Sequence, residues 1–436
     1  MDRAIAAARA AFDHGPWPRM TGPERASYLV RLASEIRKRL PLLARLWTAQ
    51  VSAPITFSKR LIYAGQSRYD YFAELADTFG FESRRPTNRG HALVRYESVG
   101  VAALIAPWNA SFNIFAHKVP AALAAGCTIV IKSPPETPLD AMVVAECAEA
   151  AGIPPGVLNV ICADRAEAAR LVASPEVDKI SFTGSVATGR KVATVAAERF
   201  ARVTLELGGK SAAILLDDAD ISQAAKTLAP WTMPFSGQIC FAQTRILAPR
   251  SRLKEVVDSY VDIVKELTIG DPWDPQTQVG PVLNARQFQT ILGYIESGRK
   301  QGARIVTGGS RCANFDRGFF VEPTVFVDVT PEMTIAQEEI FGPVVTILGC
   351  EDVDDAITIA NATNLGLSGS VFSANPQRAF EVACQIKTGH VGVNGFEIAP
   401  AVPFGGRKAS GLGREGGPEG LQAFMETKAI FMPGPA

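Results

Sequence analysis

The sequence predicts an α/β protein, because short apolar strands alternate with helices along most of its length. Strands that are apolar throughout and joined by helices are typical of a parallel sheet covered on both faces. One such series begins near residue 99, and a second begins after Gly208-Gly209. With 436 residues the chain is too long for one ordinary core, so two large domains are expected.

The elements follow from local patterns in chain order. The opening segment is rich in alanine, which favours a helix, and the second segment carries apolar residues at helical spacing. Helices are predicted at residues 2–12, 27–51 and 61–79, before a strand or hairpin arm at 90–97. The first series has predicted strands at 99–105, 127–132, 157–162, 179–182 and 203–207, with helices at 114–125, 139–151, 166–173 and 186–200. The second has strands near 212–216, 244–247, 324–329, 344–348 and 369–372, with helices near 252–267, 285–301, 353–362 and 377–386. The tail, residues 421–432, ends in a strand-like segment.

Charge and cysteine content argue against several classes of partner. The formal net charge is zero and no region is dense in lysine or arginine, so neither nucleic acid nor an anionic membrane is expected as a partner. No apolar run approaches the ~20 residues that cross a bilayer, and the first residues lack the apolar core of a signal peptide. Seven widely spaced cysteines without a Cys-x-x-Cys pair argue against zinc sites and disulfides. We therefore expect a cytoplasmic protein without a metal ion.

Cys240 is the candidate nucleophile of the sequence. It lies between Ile239 and Phe241, just after the pair Gly237-Gln238 and before a strand-like run. A cysteine on a glycine-containing turn is a plausible covalent catalyst, because thiolate is a strong nucleophile. A buried structural thiol is the commoner role of a cysteine with apolar neighbours. Residues elsewhere in the chain have to decide between these interpretations.

Polar residues collect where predicted strands end, which is where ligands bind on parallel sheets. Asn109 follows the first strand, where its amide could serve an oxyanion or simply form a turn. Lys132 ends the second strand, either as a nucleotide contact or as a solvated charge. Glu206 ends another apolar strand, where burial would raise its pKa towards that of a general base.

Two glycine-containing segments are compared as phosphate-binding candidates. Gly184 and Gly189 flank a predicted helix start after a strand, so the backbone there could approach a pyrophosphate closely. The segment is not a Walker motif, because Arg190 stands where that motif needs a lysine. The literal Gly-x-Gly-x-x-Gly pattern at residues 411–416 follows no clear strand, so a loop is predicted there.

With Asn109, Lys132, Gly184, Glu206 and Cys240 in this order, the chain resembles the aldehyde dehydrogenase superfamily. The likeness continues through residues 338–343, Asn394 and residues 403–411, and it covers nearly the whole chain. The resemblance implies a Rossmann-like cofactor domain at residues 1–79 and 99–208 and an α/β catalytic domain at residues 209–409. It also implies a small β oligomerisation element at residues 80–98 and 410–436, and hence a homodimer or homotetramer.

The resemblance also implies roles for five catalytic residues. Cys240 attacks the aldehyde carbonyl to give a thiohemiacetal, and Asn109 with the Cys240 backbone N–H forms the oxyanion hole. Hydride transfer to the nicotinamide leaves a thioester on Cys240. Glu206 then activates the water that releases the carboxylic acid. Lys118 and Glu415 match the positions of a proton-relay pair.

The implied cofactor is NAD or NADP. Lys132 matches the contact to the adenine ribose, residues 184–189 match the pyrophosphate turn, and Glu339 matches the contact to the nicotinamide ribose. Phe341 would line the nicotinamide pocket. The full set of implied cofactor-binding residues is Pro107, Trp108, Lys132, Gly184, Ser185, Gly189, Leu207, Glu339 and Phe341.

The sequence departs from the family pattern in three places. Many members that prefer NAD carry a glutamate three residues after the lysine, but Pro135 stands there, so NADP becomes a possible cofactor. The first alanine-rich helix starts close to residue 1, without the opening strands usual in the family. Phe235 and Ser236 precede Gly237 where asparagine or glutamine is frequent, which would alter the substrate channel.

Three other functions compete with the hydrolytic dehydrogenase. A cysteine protease is disfavoured, because no histidine lies between His117 and His390 and a glycine expected after Cys240 is missing. A dehydrogenase that acylates coenzyme A typically lacks the glutamate base that Glu206 provides. A non-catalytic protein on the same scaffold is disfavoured by the intact cysteine, glutamate and asparagine. For the substrate, a small-molecule aldehyde with an apolar or aromatic body is predicted from Phe112, Trp231, Phe235, Phe241 and Phe396.

Overall fold

The structure, a computed structural model, describes residues 1–433 and begins with three helices. They are α1 (Asp2–Asp13), α2 (Gly22–Val51) and α3 (Ile55–Thr78), with a 3-10 turn at Trp17–Arg19. The predicted helices are confirmed, although α2 begins five residues earlier than the predicted residue 27. The Thr21 hydroxyl accepts a hydrogen bond from the Glu24 N–H, and the Glu24 carboxylate accepts one from the Thr21 N–H. This capping box fixes the earlier start of α2.

A hairpin and a six-stranded sheet follow. The hairpin consists of β1 (Glu82–Thr87) and β2 (Gly90–Ser98). The next strands are β3 (Val101–Ile105), β4 (Thr128–Ser133), β5 (Leu158–Cys162), β6 (Lys179–Thr183) and β7 (Arg202–Glu206). They are parallel and are joined by α4 (Ser111–Ala125), α5 (Leu139–Ala150), α6 (Arg165–Ala173) and α7 (Val186–Ala197). The first predicted series is therefore confirmed.

A second sheet has seven strands. They are β8 (Ala212–Leu215), β9 (Arg245–Pro249), β10 (Arg304–Thr307), β11 (Thr324–Val327), β12 (Val344–Cys350), β13 (Gly369–Phe372) and β14 (Gly392–Val393). Their order is β10-β11-β12-β9-β8-β13-β14, and only β10 runs antiparallel to its neighbour. The helices are α8 (Ile221–Leu228), α9 (Leu253–Lys265), α10 (Ala285–Lys300), α11 (Thr334–Gln337), α12 (Val353–Asn361) and α13 (Pro376–Ala383). Short 3-10 turns lie at Ala229–Trp231, Pro234–Gly237 and Arg250–Arg252.

The tail joins two different sheets. A 3-10 turn at Lys408–Ser410 leads to β15 (Gly411–Leu412), α14 (Gly417–Gln422) and β16 (Met425–Pro433). Strand β16 pairs with β2, which gives a three-stranded antiparallel sheet. Strand β15 pairs antiparallel with β7, with Gly411 opposite Glu206. The loop predicted at residues 411–416 is thus wrong for its first two residues, which extend the six-stranded sheet.

Both parallel sheets are covered on both faces, as their apolar strands predict. In β3, Ala102 and Leu104 pack into one core, whereas Val101 and Ala103 pack into another. In the second sheet, residues of β8 alternate between two further cores in the same way. The division of the chain into domains stays a prediction. Within residues 1–433, no helix combines the length and the apolar composition needed to cross a membrane.

Candidate active site

The order of the strands in the six-stranded sheet determines where the site lies. The chain runs outward from β3 to β4 and β5, then returns to the other side of β3 to form β6 and β7. At such a reversal the connections leave in opposite directions, so a crevice opens at the carboxyl ends of β3 and β6. Trp108 and Asn109 follow β3, and Gly184 and Ser185 follow β6. The predicted residues therefore border one crevice.

Two cavities meet in this crevice. One of about 230 Å³ has mostly aromatic and aliphatic walls, and we call it the aromatic cavity. The other, of about 240 Å³, has walls formed largely by residues that follow strands, and we call it the strand-end cavity. Asn109, Glu206 and Cys240 line both cavities, together with Thr183. The three residues predicted to perform the chemistry are thus brought together, from positions up to 131 residues apart in the sequence.

The loop before Cys240 has an unusual backbone. Phe235, Ser236 and Gly237 have φ angles of 55°, 54° and 67°, in the left-handed region. This region costs roughly 1–2 kcal/mol for each residue that carries a Cβ, so neighbouring contacts must hold the loop in place. A Cβ at Gly237 would collide with the backbone carbonyl of Gly342, so only glycine fits at this position.

Hydrogen bonds from another segment hold this loop. The Ser236 hydroxyl donates to the Gly280 carbonyl at 2.5 Å, and the Leu283 backbone N–H donates to the Gln238 side chain at 3.1 Å. The Gln238 side-chain amide also donates to the Phe235 carbonyl at 3.2 Å. The unusual serine before Gly237 thus has a structural explanation, because its hydroxyl anchors the turn.

Asn109 is held rigidly at the junction of the cavities. Its side-chain Nδ2 donates to the Gln238 carbonyl at 3.0 Å, and its own carbonyl accepts from the Trp47 indole at 2.7 Å. An amide nitrogen carries two hydrogens, so this geometry leaves one of them for another acceptor. Asn109 can therefore donate to an oxyanion formed beside Cys240.

Glu206 is a buried carboxylate at the end of β7. It is 3% exposed, and neither carboxylate oxygen has a hydrogen-bond partner among the described residues. Burial, reinforced by the nearby Glu415 carboxylate, raises the pKa of Glu206 well above its ordinary value. Gly405 makes room for it, since a Cβ there would lie 2.6 Å from Glu206 Oε1. The raised pKa predicted from the strand-end position is confirmed in direction.

Lys118 and Glu415 form a buried ion pair, so the predicted relay pair is in contact. Ser181 joins them, since Lys118 Nζ donates to the Ser181 hydroxyl at 2.9 Å and that hydroxyl donates to Glu415 at 3.1 Å. Ser181 was absent from the predicted site, and the buried strand around it gave no sign of this contact. Glu415 also lines the aromatic cavity.

The Cys240 thiol lines both cavities, and its environment disfavours the charged thiolate form. Burial, together with the nearby carboxylates of Glu339 and Glu206, raises the pKa of the thiol above its usual value. The resting side chain at neutral pH is therefore a thiol, and a base must take its proton before it attacks. Glu206 is the unpartnered carboxylate at the junction that can accept this proton.

Most of the predicted cofactor-binding residues line the strand-end cavity. They are Pro107, Trp108, Gly184, Ser185, Leu207, Glu339 and Phe341. Ser185 caps α7 through a 3.3 Å hydrogen bond from the Thr188 N–H, so the positive end of this helix faces the cavity. A helix start of this kind favours a phosphate group.

Gly189 and Lys132 lie outside the wall of this cavity. Gly189 is explained by packing, because a Cβ there would come within 2.5 Å of the Leu207 side chain. This lets α7 approach the end of β7 closely, and the direct cofactor contact of Gly189 stays a prediction. Lys132 is the last residue but one of β4 at the same edge of the sheet, and burial lowers the pKa of its ammonium group. Pro135 is exposed beside it.

Glu339 and Phe341 close the strand-end cavity from the second sheet. Glu339 accepts a hydrogen bond from the Gly209 N–H at 3.2 Å, and burial raises the pKa of its carboxyl to about 7. Phe341 stands edge-on to Trp108, with ring centroids 5.6 Å apart. Gly208 lets this carboxylate lie against the backbone, since a Cβ there would collide with Glu339 Oε2 and displace it. The cavity therefore has the polar and planar surfaces that a nicotinamide nucleotide needs.

The aromatic cavity contains four of the five aromatic residues predicted to contact the substrate. They are Trp231, Phe235, Phe241 and Phe396, and Trp231 and Phe241 both pack against Phe396. The prediction for Phe112 is wrong, because its ring stacks on Tyr69 at 6.1 Å inside the helical core. Sequence reasoning missed Thr183, whose position directly at the end of β6 could have revealed it. It also missed Arg68 and His117, for which helical positions gave no signal.

Comparison with known proteins agrees with this geometry. The profile of the aldehyde dehydrogenase family matches residues 1–430. Geranial dehydrogenase from Castellaniella defragrans is 44% identical over 436 residues, covering 100% of this chain and 91% of that protein. A Mycobacterium tuberculosis aldehyde dehydrogenase complexed with NAD+ matches with a TM-score of 0.96 and 42% identity, over 99% of this chain and 90% of that chain. Aldehyde dehydrogenase C from Pseudomonas syringae, complexed with NAD+ and octanal, matches with a TM-score of 0.95 and 37% identity, over 98% and 88% of the two chains.

Together these matches span the whole chain. The chain therefore belongs to the aldehyde dehydrogenase family, and it oxidises aldehydes to carboxylic acids with NAD or NADP as the hydride acceptor.

Proposed function

We propose that Cys240 attacks the carbonyl carbon of an aldehyde at the junction of the two cavities. The observation that supports this assignment is the convergence of Cys240, Asn109 and Glu206 on both cavity walls. Attack by sulfur gives a thiohemiacetal, whose carbon–hydrogen bond then breaks and leaves a thioester on Cys240. Bound NAD or NADP supplies the acceptor for that hydride.

Asn109 and Glu206 serve different steps of this reaction. The Asn109 amide, fixed by its bond to Gln238, donates together with the Cys240 backbone N–H to the oxyanion. Glu206 takes a proton from water, the water oxygen attacks the thioester, and the carbon–sulfur bond breaks to release the acid. The ion pair of Lys118 and Glu415 lies beside Glu206 and would carry protons away from it.

The strand-end cavity would hold the dinucleotide. The capped start of α7 at Ser185 would bind the pyrophosphate, and Glu339 would bind the nicotinamide ribose. Gly184 and Gly208 border the cavity, and a Cβ at either position would meet a neighbouring side chain, so the backbone can approach a ligand closely. Lys132 would contact the adenine ribose, and Pro135 supplies no carboxylate to repel a 2′-phosphate.

The assembly and the location of the protein are also part of this proposal. The sheet of β1, β2 and β16 would join copies of the chain into a homodimer or homotetramer. Support comes from Phe431 and Met432 in β16, which are 73% and 46% exposed and leave an apolar surface at the end of the strand. The cytoplasmic location stays a prediction, and the seven cysteines are all free thiols, in keeping with a reducing compartment.

Two variants test the chemistry. Cys240→Ala should abolish NAD(P)H formation, while binding of the dinucleotide, followed by fluorescence quenching, is retained. Glu206→Gln should slow hydrolysis more than hydride transfer, so the first turnover gives a burst of NAD(P)H before a slow steady state. Mass spectrometry of the stalled enzyme should show the acyl group on Cys240.

The control variant is Cys384→Ala, which removes an exposed thiol outside the walls of both cavities and should turn over normally. Normal turnover by Cys240→Ala would refute the covalent scheme. A normal steady state without a burst in Glu206→Gln would remove Glu206 from its role. If acid formed only in the presence of coenzyme A, transfer to coenzyme A would replace hydrolysis as the final step.

A further inference from the structure

One charged group in the aromatic cavity has no part in the proposed reaction. Helix α3 lines the cavity with Phe57, Leu61, Ala64 and Arg68, spaced three or four residues apart on one helical face. The first three residues are apolar, and the fourth, Arg68, carries a positive charge. Neither the cysteine chemistry nor the cofactor requires a positive charge at this position.

Arg68 has few partners among the residues that the structure describes. It is 6% exposed, its Nη1 donates to the Ala64 carbonyl only at 3.3 Å, and its Nε has no hydrogen-bond partner in this part of the chain. Burial lowers the pKa of the guanidinium to about 10, so it is still charged at neutral pH. The nearest carboxylate that influences Arg68 is Glu415, which is already bound by Lys118 and Ser181. A buried guanidinium with five N–H donors and one long hydrogen bond is incompletely satisfied.

Helix α4 adds two polar side chains beside Arg68. Asn113 and His117 line the same cavity one helical turn apart, and Asn113 Nδ2 and His117 Nδ1 lack partners among the described residues. Burial, together with the cations Arg68 and Lys118, holds the pKa of His117 well below its usual value, so the ring is neutral. Arg68, Asn113 and His117 together form what we call the polar patch.

The polar patch extends along α4 away from the junction of the cavities. Asn109, at the junction with Cys240, comes two residues before α4, and the helix rises about 9 Å from its first residue to His117 at 1.5 Å per residue. The wall between Asn109 and His117 carries Ala110 and Ile114, which are apolar. An aldehyde bound at Cys240 would therefore place an apolar chain along this wall and its far end at the patch.

We propose that Arg68, with Asn113 and His117, selects aldehydes that carry a carboxylate at the far end of an apolar chain, the ω-oxo acids. The inference rests on the proposed function, because the aldehyde must react at Cys240. A carboxylate would accept from the guanidinium and neutralise its charge in a site from which water is largely excluded. A simple alkyl aldehyde fits the aromatic walls equally well but leaves Arg68 unpaired.

A pair of substrates of equal length tests this inference. With NAD and NADP supplied separately, kcat/KM is measured for octanal and for 8-oxo-octanoate. The wild-type enzyme should prefer 8-oxo-octanoate by about tenfold or more, as a charge-assisted pair predicts. Arg68→Met should lower the ratio of the two kcat/KM values about 30-fold, chiefly through the KM of the oxo acid. Arg68→Lys should restore part of the preference.

Lys59→Met is the matched control, since it removes an exposed positive charge from the same helix outside the cavity and should leave the ratio unchanged. Wild-type preference for octanal, or an equal loss on both substrates in Arg68→Met, would overturn the inference. If Arg68→Met fails to fold, the ratio of the two kcat/KM values in the wild-type enzyme and in Arg68→Lys decides whether the inference holds. Absence of NAD(P)H with either aldehyde would instead contradict the proposed function.

Discussion

The two cavities that meet at Cys240 are built in different ways. The strand-end cavity takes its walls from residues such as Trp108, Gly184 and Gly208, which follow strands of the sheet. The aromatic cavity takes its walls from side chains on helices α3 and α4 and on loops far along the chain. The strand order of the sheet therefore determines the shape of the strand-end cavity, whereas the choice of side chains determines the shape of the aromatic cavity. Selectivity for the aldehyde can change by substitution without any movement of a strand.

The largest expected effect concerns the ion pair in the wall of the aromatic cavity. Lys118→Met leaves the Glu415 carboxylate buried without its counter-ion, and we expect a loss of about 3–5 kcal/mol in the free energy of unfolding. Urea denaturation measures it, and a second change, Glu415→Leu, should recover part of the loss. Lys254→Met breaks an exposed pair with Asp258 and should leave the free energy of unfolding nearly unchanged. Equal losses of unfolding free energy in the two lysine variants would show that the buried ion pair stabilises the fold no more than the exposed pair does.

The next effect lies where the two cavities join. Gly405→Ala places a Cβ against the Glu206 carboxylate at a backbone φ of 156°, so we expect kcat to fall by about 100-fold. The remaining activity should show the NAD(P)H burst expected of Glu206→Gln. Gly395→Ala is the control, because no atom lies within 4 Å of a Cβ at that position. Similar kinetics in both alanine variants would contradict the proposed tight fit around Glu206.

A smaller effect should show that the two cavities bind different substrates. Trp231→Ala opens the aromatic cavity and should raise the KM for octanal about tenfold while the KM for NAD changes little. Trp108→Ala removes the partner of Phe341 and should do the reverse. Steady-state kinetics with each substrate varied in turn provides the measurement. If both variants raised both KM values alike, the two cavities would behave as one site.

The smallest effect concerns the pH dependence of stability. The folded protein raises the pKa of Glu206, so the folded state binds this proton more tightly than the unfolded chain. The stability from this group is complete below the unfolded value near 4.5 and is lost as pH rises through the folded pKa. Glu206→Gln should therefore gain about 1 kcal/mol relative to wild type at pH 8, and less at pH 5. Hydrolysis needs the ionised carboxylate and should show the opposite trend, rising with pH.

The sequence revealed the cofactor side better than the aldehyde side for a physical reason. Asn109 and Gly184 follow apolar strands and Glu206 ends one, and parallel strands bring their carboxyl ends to one edge. Strand position alone therefore predicted that these residues share a crevice. For Gly189 the sequence could not show the packing role, because the contact with Leu207 depends on how closely α7 approaches β7.

The aldehyde side depends on contacts that no local pattern contains. Helical periodicity predicted that Phe112 is on a helix, but it could not show that this ring faces Tyr69 instead of the cavity. Arg68 lies on a helix and Ser181 on a strand, and the periodicity of hydrophobic residues in these elements does not indicate which distant residues the two side chains meet. The two residues of β15 were too few to show the alternation that identifies a strand.

The left-handed turn before Cys240 has a consequence for biosynthesis. Its hydrogen-bond anchors, Gly280 and Leu283, are both translated after the cysteine itself. A nascent chain that has not yet reached Leu283 lacks the partners that hold this turn, so the nucleophile cannot be aligned early. The reactive centre is thus completed only after roughly two thirds of the polypeptide has been made, long after the six-stranded sheet has all its parallel strands.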